Sequence, residues 1–404
     1  MACQNRAMQF FKDLNGSAFT AGFVAVLVGF TSSVAIVFQA ALAFSATPAQ
    51  IASWMWALGI GMGLCTVLPS LYLKKPVMVA WSTPGAAVLA TAGAVGGFSM
   101  AEAVGAFMVS AALITLCGLT GWFEKLMNRI PVAIASALLA GVLARFGMSG
   151  FTAAQTALPL VLLMLTAYLL GRRLMPRYAV VASLAAGIAY TAQRGELAWS
   201  TVSFSLAIPQ GVMPQFSLSA AVSLAIPLFV VTMASQNLPG VAAIRATGYD
   251  GQIPVSKVIT LTGLATLILA PFGAFALNLS AITAAIVMGK EAHTDPDKRY
   301  TAAVSCGLIY LVIGVFGAAV TSLLAAFPKE LVAAIAGLAL LGTIGAGLAA
   351  AVKDESHREA ALITFLVTLS GVVIAGVGSA FWGVVAGALA LFVQQYGQAK
   401  TNTS

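Results

Sequence analysis

Charge is what this sequence lacks. Asp, Glu, Lys and Arg make up 8% of its 404 residues, against roughly 25% in soluble domains, while 60% of the residues are hydrophobic. A water-soluble globule is excluded, and the chain reads as an integral membrane protein. Acid is scarcer still: the twelve Asp and Glu and the two histidines, His293 and His357, all fall in or beside the segments between apolar runs. Acid–base chemistry within a span therefore has no carboxylate or imidazole to use. The four cysteines, Cys3, Cys65, Cys117 and Cys306, form no CxxC pair, and three lie in apolar runs where a thiol behaves as a small hydrophobe. No HExxH motif is present, so neither a metal nor a cofactor is expected.

What is there is apolar length. The start, "MACQNRAMQFFKDLNGS", has no cleavable apolar core, so the first span is expected to direct insertion itself. Spans near 18–42, 50–72, 77–98, 102–123, 131–149, 155–171, 178–193, 218–241, 255–270, 272–289, 301–326, 331–351, 359–377 and 379–396 give fourteen crossings of the bilayer. With both termini in the cytoplasm, 17 of the 20 Lys and Arg lie on the cytoplasmic side, and only Arg145, Arg194 and Lys329 do not. That is the positive-inside bias, so the net charge of +8 reflects topology rather than a nucleic-acid partner.

Fourteen spans divide as seven plus seven, and an odd number per half inserts the second half upside down, which is the inverted-repeat condition. The expected halves are 1–193 and 218–404, joined by an outer-surface connection over 194–217 rich in Pro and Gly. "PVMVAWSTPGAAVLA" (76–90) echoes "PFGAFALNLSAITAAI" (271–286), and "GFTSS" (29–33) echoes "MASQN" (233–237). Only 32 residues, Val258 to Gly289, lie between Lys257 and Lys290, where two crossings are needed. Two full helices need about 40 residues at 1.5 Å rise, whereas extended chain covers about 3.3 Å per residue. A strand over Gly273–Asn278 removes the deficit, and its counterpart by the echo is Val77–Trp81. Extended backbone cannot face lipid, so the strands must pair with each other or line an interior cavity. The fold class is thus all-α polytopic, with the third and tenth spans each a short strand plus a half-helix.

Half-helices starting at Ser82–Gly85 and at Asn278–Ser280 then point their N-termini at the membrane centre from opposite sides, where free N–H groups and the helix dipole favour an anion such as a carboxylate. Either the backbone N–H groups of Thr83 to Ala86 or the Ser82 and Thr83 hydroxyls would hold the carboxylate. Candidate substrate-binding residues are Phe30, Thr31, Ser32, Ser33 and Gln39 on the first span, Trp81, Ser82, Thr83 and Gly85 on the third, Ser235, Gln236 and Asn237 on the eighth, and Asn278 and Ser280 on the tenth. Aromatics including Phe30, Trp81 and Phe275 could wall a ring. Serine and threonine in membrane helices usually bond back to their own helix; buried amides are costlier and point more strongly to function.

"GFTSSVAIVFQAA", "WSTPGAAVLA", "SQNLPGVA" and "NLSAITAAI", in this order, resemble the benzoate:proton symporter family of bacterial inner membranes, over nearly the whole chain. That family is similar in architecture to the uracil permease and sulfate transporter superfamily. The resemblance implies a core domain (spans 1–4 and 8–11) that moves against a gate domain (spans 5–7 and 12–14). It also implies a site between the half-helices, import of benzoate with a proton by alternating access, and an inner-membrane location. Related folds often dimerise through the gate domain, so a homodimer is an open expectation. The nucleobase permeases carry acids on the eighth span and near the tenth, where this chain reads "MASQNLPGV" and "FALNLSA". Amides in place of acids suit an acidic substrate, and with no side chain to carry a proton the transported species is expected to be the undissociated acid. Two other readings are another small anion or a nucleobase as substrate, and an intramembrane serine protease suggested by "GMSG" at 147–150, for which no histidine lies in a span to act as base.

Overall fold

The computed structural model describes residues 9–31, 33–127, 131–176, 179–197, 206–317, 319, 326–372, 374 and 379–395. In the first half, helices α1 (Gly16–Thr31) and α2 (Val34–Ala43) are two pieces of one span, followed by α3 (Pro48–Leu73), strand β1 (Val79–Trp81), α4 (Thr83–Gly96), α5 (Met100–Thr120), α6 (Trp122–Met127), α7 (Val132–Thr152), α8 (Ala154–Leu174) and α9 (Ala179–Gln193). The second half opens with α10 (Leu218–Ala220), α11 (Ile226–Thr232) and α12 (Leu238–Ala246), then α13 (Val255–Leu269), β2 (Leu277–Leu279), α14 (Ile282–Val287), α15 (Tyr300–Val315), α16 (Lys329–Lys353), α17 (Arg358–Ser370) and α18 (Ser379–Gln395). Among the described residues seven helices are long and apolar enough to cross a membrane, and four more apolar helices are shorter.

The two polar pauses read in the sequence are breaks in helix geometry. "GFTSS" falls where α1 stops and α2 begins, with Ser33 outside helical geometry at φ −136. "MASQN" is a π-helical turn, Met233–Asn237, joining α11 to α12, and a similar turn over Ala221–Ala225 joins α10 to α11. Each π turn ends two residues before a proline, Pro227 or Pro239. Proline has no N–H and its ring crowds the carbonyl one turn back, and a widened turn relieves both problems.

The strands pair antiparallel, Val79 opposite Leu279, Ala80 opposite Asn278 and Trp81 opposite Leu277. The second differs from the expected 273–278. Leu269 gives way to a 3₁₀ turn, Ala270–Phe272, and Gly273 takes a left-handed φ of 103 with the Trp54 indole packed where a Cβ would be. Pairing therefore starts only at Leu277, and Asn278 sits in the middle of the strand instead of capping a helix. Helix α14 starts at Ile282 and has six residues, against fourteen in α4.

Helix packing follows a reciprocal pattern. α3 packs on α15 as α13 packs on α5; α1 packs on α14 as α11 packs on α4; α7 packs on α17 as α16 packs on α8. Small residues permit the closest approaches: a Cβ at Gly59 would lie 2.6 Å from Gly314 Cα. The same reasoning accounts for "GMSG". Gly147 and Gly150 lie in the α7–α16 crossing, where a Cβ on Gly150 would meet Ala333 O at 2.9 Å and one on Gly337 would meet Gly147 O at 2.9 Å. The Ser149 side chain is outside the described set. The connection after α9 is described from 206 onward; Ala207, Val212 and Gln215 donate backbone N–H groups to Val315, Pro271 and Ala101, and Gln210 N–H goes to Ser53 Oγ. These bonds tie the segment across the ends of four helices.

Candidate functional site

The paired strands need their edge N–H groups satisfied without water. The Val79 N–H donates to Thr66 Oγ1 on α3 at 3.2 Å, and the Leu277 N–H donates to Thr266 Oγ1 on α13 at 3.1 Å. Leu279 N–H goes to Asn237 Oδ1 at 2.9 Å, Val77 N–H to Ser70 Oγ at 3.0 Å, and backbone bonds from Ser82 to Ala276 and from Ser280 to Met78 extend the ladder. Thr66, Thr266 and Asn237 are fully buried. The two threonines escaped the sequence reading. Their signal was a threonine preceding each strand by about a dozen residues in both halves.

The first span is tied to β1 through Trp81, whose indole N–H donates to Ser33 Oγ at 2.9 Å while Ser33 Oγ donates to Gly29 O at 2.9 Å. Phe30 stacks obliquely on Trp81 with ring centroids 5.0 Å apart. Phe30, Ser33 and Trp81 are thus brought together and buried. Ser32 lies outside the described residues, as do the side chains of Thr31 and Ser235. Gln39 is corrected: it lies on the exposed face of α2, because the helical period turns Val37, Ala40 and Ala41 inward instead. Phe275 makes its ring contacts with Trp54 and Phe107 instead, at centroid distances of 5.7 and 6.0 Å.

Ser82 is the N-cap of α4. Its Oγ accepts from the Gly85 N–H at 3.1 Å and from Thr232 Oγ1 of α11 at 3.0 Å, and its carbonyl accepts from the Ala86 N–H. Pro84 has no N–H. Of the four residues Thr83 to Ala86, only Thr83, half-buried at the first helical position, keeps an N–H without an intrahelical acceptor. Gly85 is buried with no room for a side chain, since a Cβ would meet Leu228 Cδ1 at 2.7 Å. On the opposite side the Ser280 hydroxyl accepts from Thr283 Oγ1 at 2.7 Å, one residue before the α14 cap at Ala281. The two-sided cradle of free N–H groups is therefore narrower than expected: one helix is capped by its own serine and the other is a turn and a half long.

The amides divide. Gln236 is half-buried, Asn237 braces β2, and Asn278 is fully buried in mid-strand. Asn278 Nδ2 donates to Ala276 O at 3.0 Å, which fixes the amide's orientation, while its Oδ1 has no hydrogen-bond partner among the described residues. A buried acceptor left unmatched costs about 1–3 kcal/mol. Its cross-strand neighbour Ala80, on the same face, is half-exposed between two buried residues. No Asp, Glu, Lys, Arg or His lies in α1, α2, β1, α4, α11, β2, α14 or the turn Met233–Asn237, and no three-residue His, Cys, Asp or Glu cluster fit to hold a metal occurs among the described residues.

Comparison with known proteins follows from this geometry. The family model described as benzoate membrane transport protein matches residues 12–393. The inner membrane protein YdcO of Escherichia coli is 47% identical over 373 residues, covering 92% of this chain and 94% of that protein. The benzoate membrane transport protein of Acinetobacter baylyi is 40% identical over 382 residues, covering 95% and 96%. Among solved structures, SLC26A9 aligns with a TM-score of 0.50 at 11% identity over 95% of this chain and 66% of that one, which is a likeness of fold. The transmembrane domain of the cyanobacterial bicarbonate transporter BicA aligns with a TM-score of 0.45 at 14% identity over 96% and 98%.

Proposed function

Given that the chain belongs to the benzoate membrane transport protein family, a family of transporters and not of enzymes, we propose that it imports benzoate or a similar aromatic carboxylate together with a proton by alternating access. The observation that carries this reading is the uncharged interior built on the β1–β2 pair, where Ala80 and Asn278 share one face between the ends of two broken spans. Irregular backbone at membrane depth is tolerated where it is buried in protein or lines a cavity, and a pair of broken spans suits a carrier better than a pore. The buried Phe30–Trp81 pair offers a ring-binding wall once the helices part, and Ser33, Ser82, Thr83, Gln236, Asn278 and Ser280 supply polar groups around it.

The reciprocal packing of the two halves supports an inverted repeat of fourteen segments, with 1–193 and 218–404 as its halves. It also supports a core (α1–α5 with α10–α15) facing a gate (α7–α9 with α16–α18). The distribution of Lys and Arg supports cytoplasmic termini in a bacterial inner membrane.

The test is uptake of labelled benzoate into proteoliposomes under an imposed inward proton gradient. We expect accumulation that collapses with the gradient and that excess unlabelled uracil or sulfate leaves unchanged. Displacement by uracil or sulfate, or accumulation indifferent to the gradient, would reject this assignment. A dimer through the gate helices is to be checked separately, by mass measurement of the purified protein.

A further inference from the structure

Around the strand pair one buried side-chain acceptor is left without a partner among the described residues. Several donors are committed: Trp81 Nε1 to Ser33, Gly85 N–H and Thr232 Oγ1 to Ser82, Leu279 N–H to Asn237, and Thr283 Oγ1 to Ser280. The Thr83 N–H keeps no intrahelical acceptor, and the buried acceptor without a partner among the described residues of the strand pair is Asn278 Oδ1, turned away from Ala276 by the bond that Nδ2 makes there. A carboxylate placed against that oxygen would oppose two acceptors. A carboxylic acid would donate its O–H to it and could take the Thr83 N–H at its carbonyl oxygen.

Resting on the transport reading above, we propose that Asn278 is the residue that reads the substrate's proton: its Oδ1 accepts the O–H of the undissociated acid and so selects that form over the anion. The proton stays covalently on the substrate through the crossing and leaves it by ordinary dissociation after release, so one proton moves per acid with no protonated side chain. The elements packed on β2 are β1, α3, α13 and the turn Met233–Asn237. Their titratable groups are Cys65, whose thiol is directed at Leu261 O, and the exposed Tyr72 and Lys257. None is a carboxylate or an imidazole, so a pH dependence of binding near neutrality is assigned to the substrate.

Equilibrium binding of labelled benzoate to the purified protein tests this. For a carboxylic acid with a pKa of about 4, the neutral fraction falls about tenfold per pH unit, so apparent affinity should drop about 100-fold from pH 5 to pH 7. Benzamide, uncharged and carrying an N–H donor, should compete equally at both pH values, while methyl benzoate, which has no donor, should compete at least tenfold less well. Asn278→Leu should weaken binding at pH 5 and flatten its pH slope; a purely structural role would lower affinity with the slope unchanged. Flat wild-type affinity between pH 5 and pH 7, or methyl benzoate matching benzamide, overturns the proposal while leaving benzoate transport standing. No saturable benzoate binding even at pH 5 overturns the transport reading itself.

Discussion

Replacing Thr266 with valine keeps the shape of the side chain and removes one oxygen. That oxygen is fully buried, donates to Thr262 O at 2.8 Å and accepts the Leu277 N–H at 3.1 Å. Thr262 O loses little, because a carbonyl of a helix interior already accepts a backbone bond. The Leu277 N–H loses its acceptor in a place water does not reach, at a cost of about 1–3 kcal/mol. Thr266→Ser is the control: it keeps the oxygen and deletes a methyl group, costing about 0.8 kcal/mol by burial. With unfolding entropy near 2.1 cal/mol/K per residue, a chain of this length changes its midpoint by about 1 °C per kcal/mol. Thr266→Val should therefore melt about 1–3 °C below wild type and below Thr266→Ser. Its benzoate uptake should fall by more than its stability, because the strand it frays carries Asn278. Thermal unfolding of the detergent-purified proteins and uptake by the same preparations provide the comparison. A valine variant at least as stable as the serine variant, with wild-type uptake, would refute the idea that Thr266 holds the strand.

Two further outcomes follow from other parts of the structure. Gly59→Ala drives a Cβ to within 2.6 Å of Gly314 N and Cα, backbone that cannot swing away, so the α3–α15 crossing must open; the yield of monodisperse protein on size exclusion should fall several-fold, and an unchanged yield would contradict the crossing. Asp354 lies beyond α16 and exposed, its carboxyl held down to about 2, first by the Ser356 hydroxyl and then by His357. A depressed carboxyl contributes stability above its unfolded value of about 3.9 and loses it as pH falls toward the folded value. The melting advantage of wild type over Asp354→Asn should be constant above pH 5 and shrink from pH 4 to pH 2.5; a difference unchanged over that range would show the contacts to be inert.

The chain's own residues made much of this legible. The deficit of length between Lys257 and Lys290 called for extended chain, and the echo at 76–90 placed a second piece. Both are strands in the structure, though β2 begins four residues later than expected because Gly273 yields its place to Trp54. "MASQN" marked an irregular turn, and Pro239 explains its kind. Legibility failed where a partner came from far along the chain. Gln39 was read as interior because amides are costly in apolar runs, yet the helical period leaves it exposed. Thr66 and Thr266 look like any membrane threonine, and only folding sets them against strand N–H groups.

What the sequence determined by itself was class and placement: a charge-poor membrane chain, broken in both halves at corresponding points, with no acid in its interior. These are properties of composition and spacing, which act locally. What tertiary structure alone decided was register and satisfaction. Setting Ala80 opposite Asn278, giving Leu279 N–H to Asn237 and leaving Asn278 Oδ1 without a partner among the described residues all depend on which distant groups meet in a place without water. There each N–H and each carbonyl must find its match within the protein, and among the described residues of the strand pair Asn278 Oδ1 is the side-chain acceptor left over.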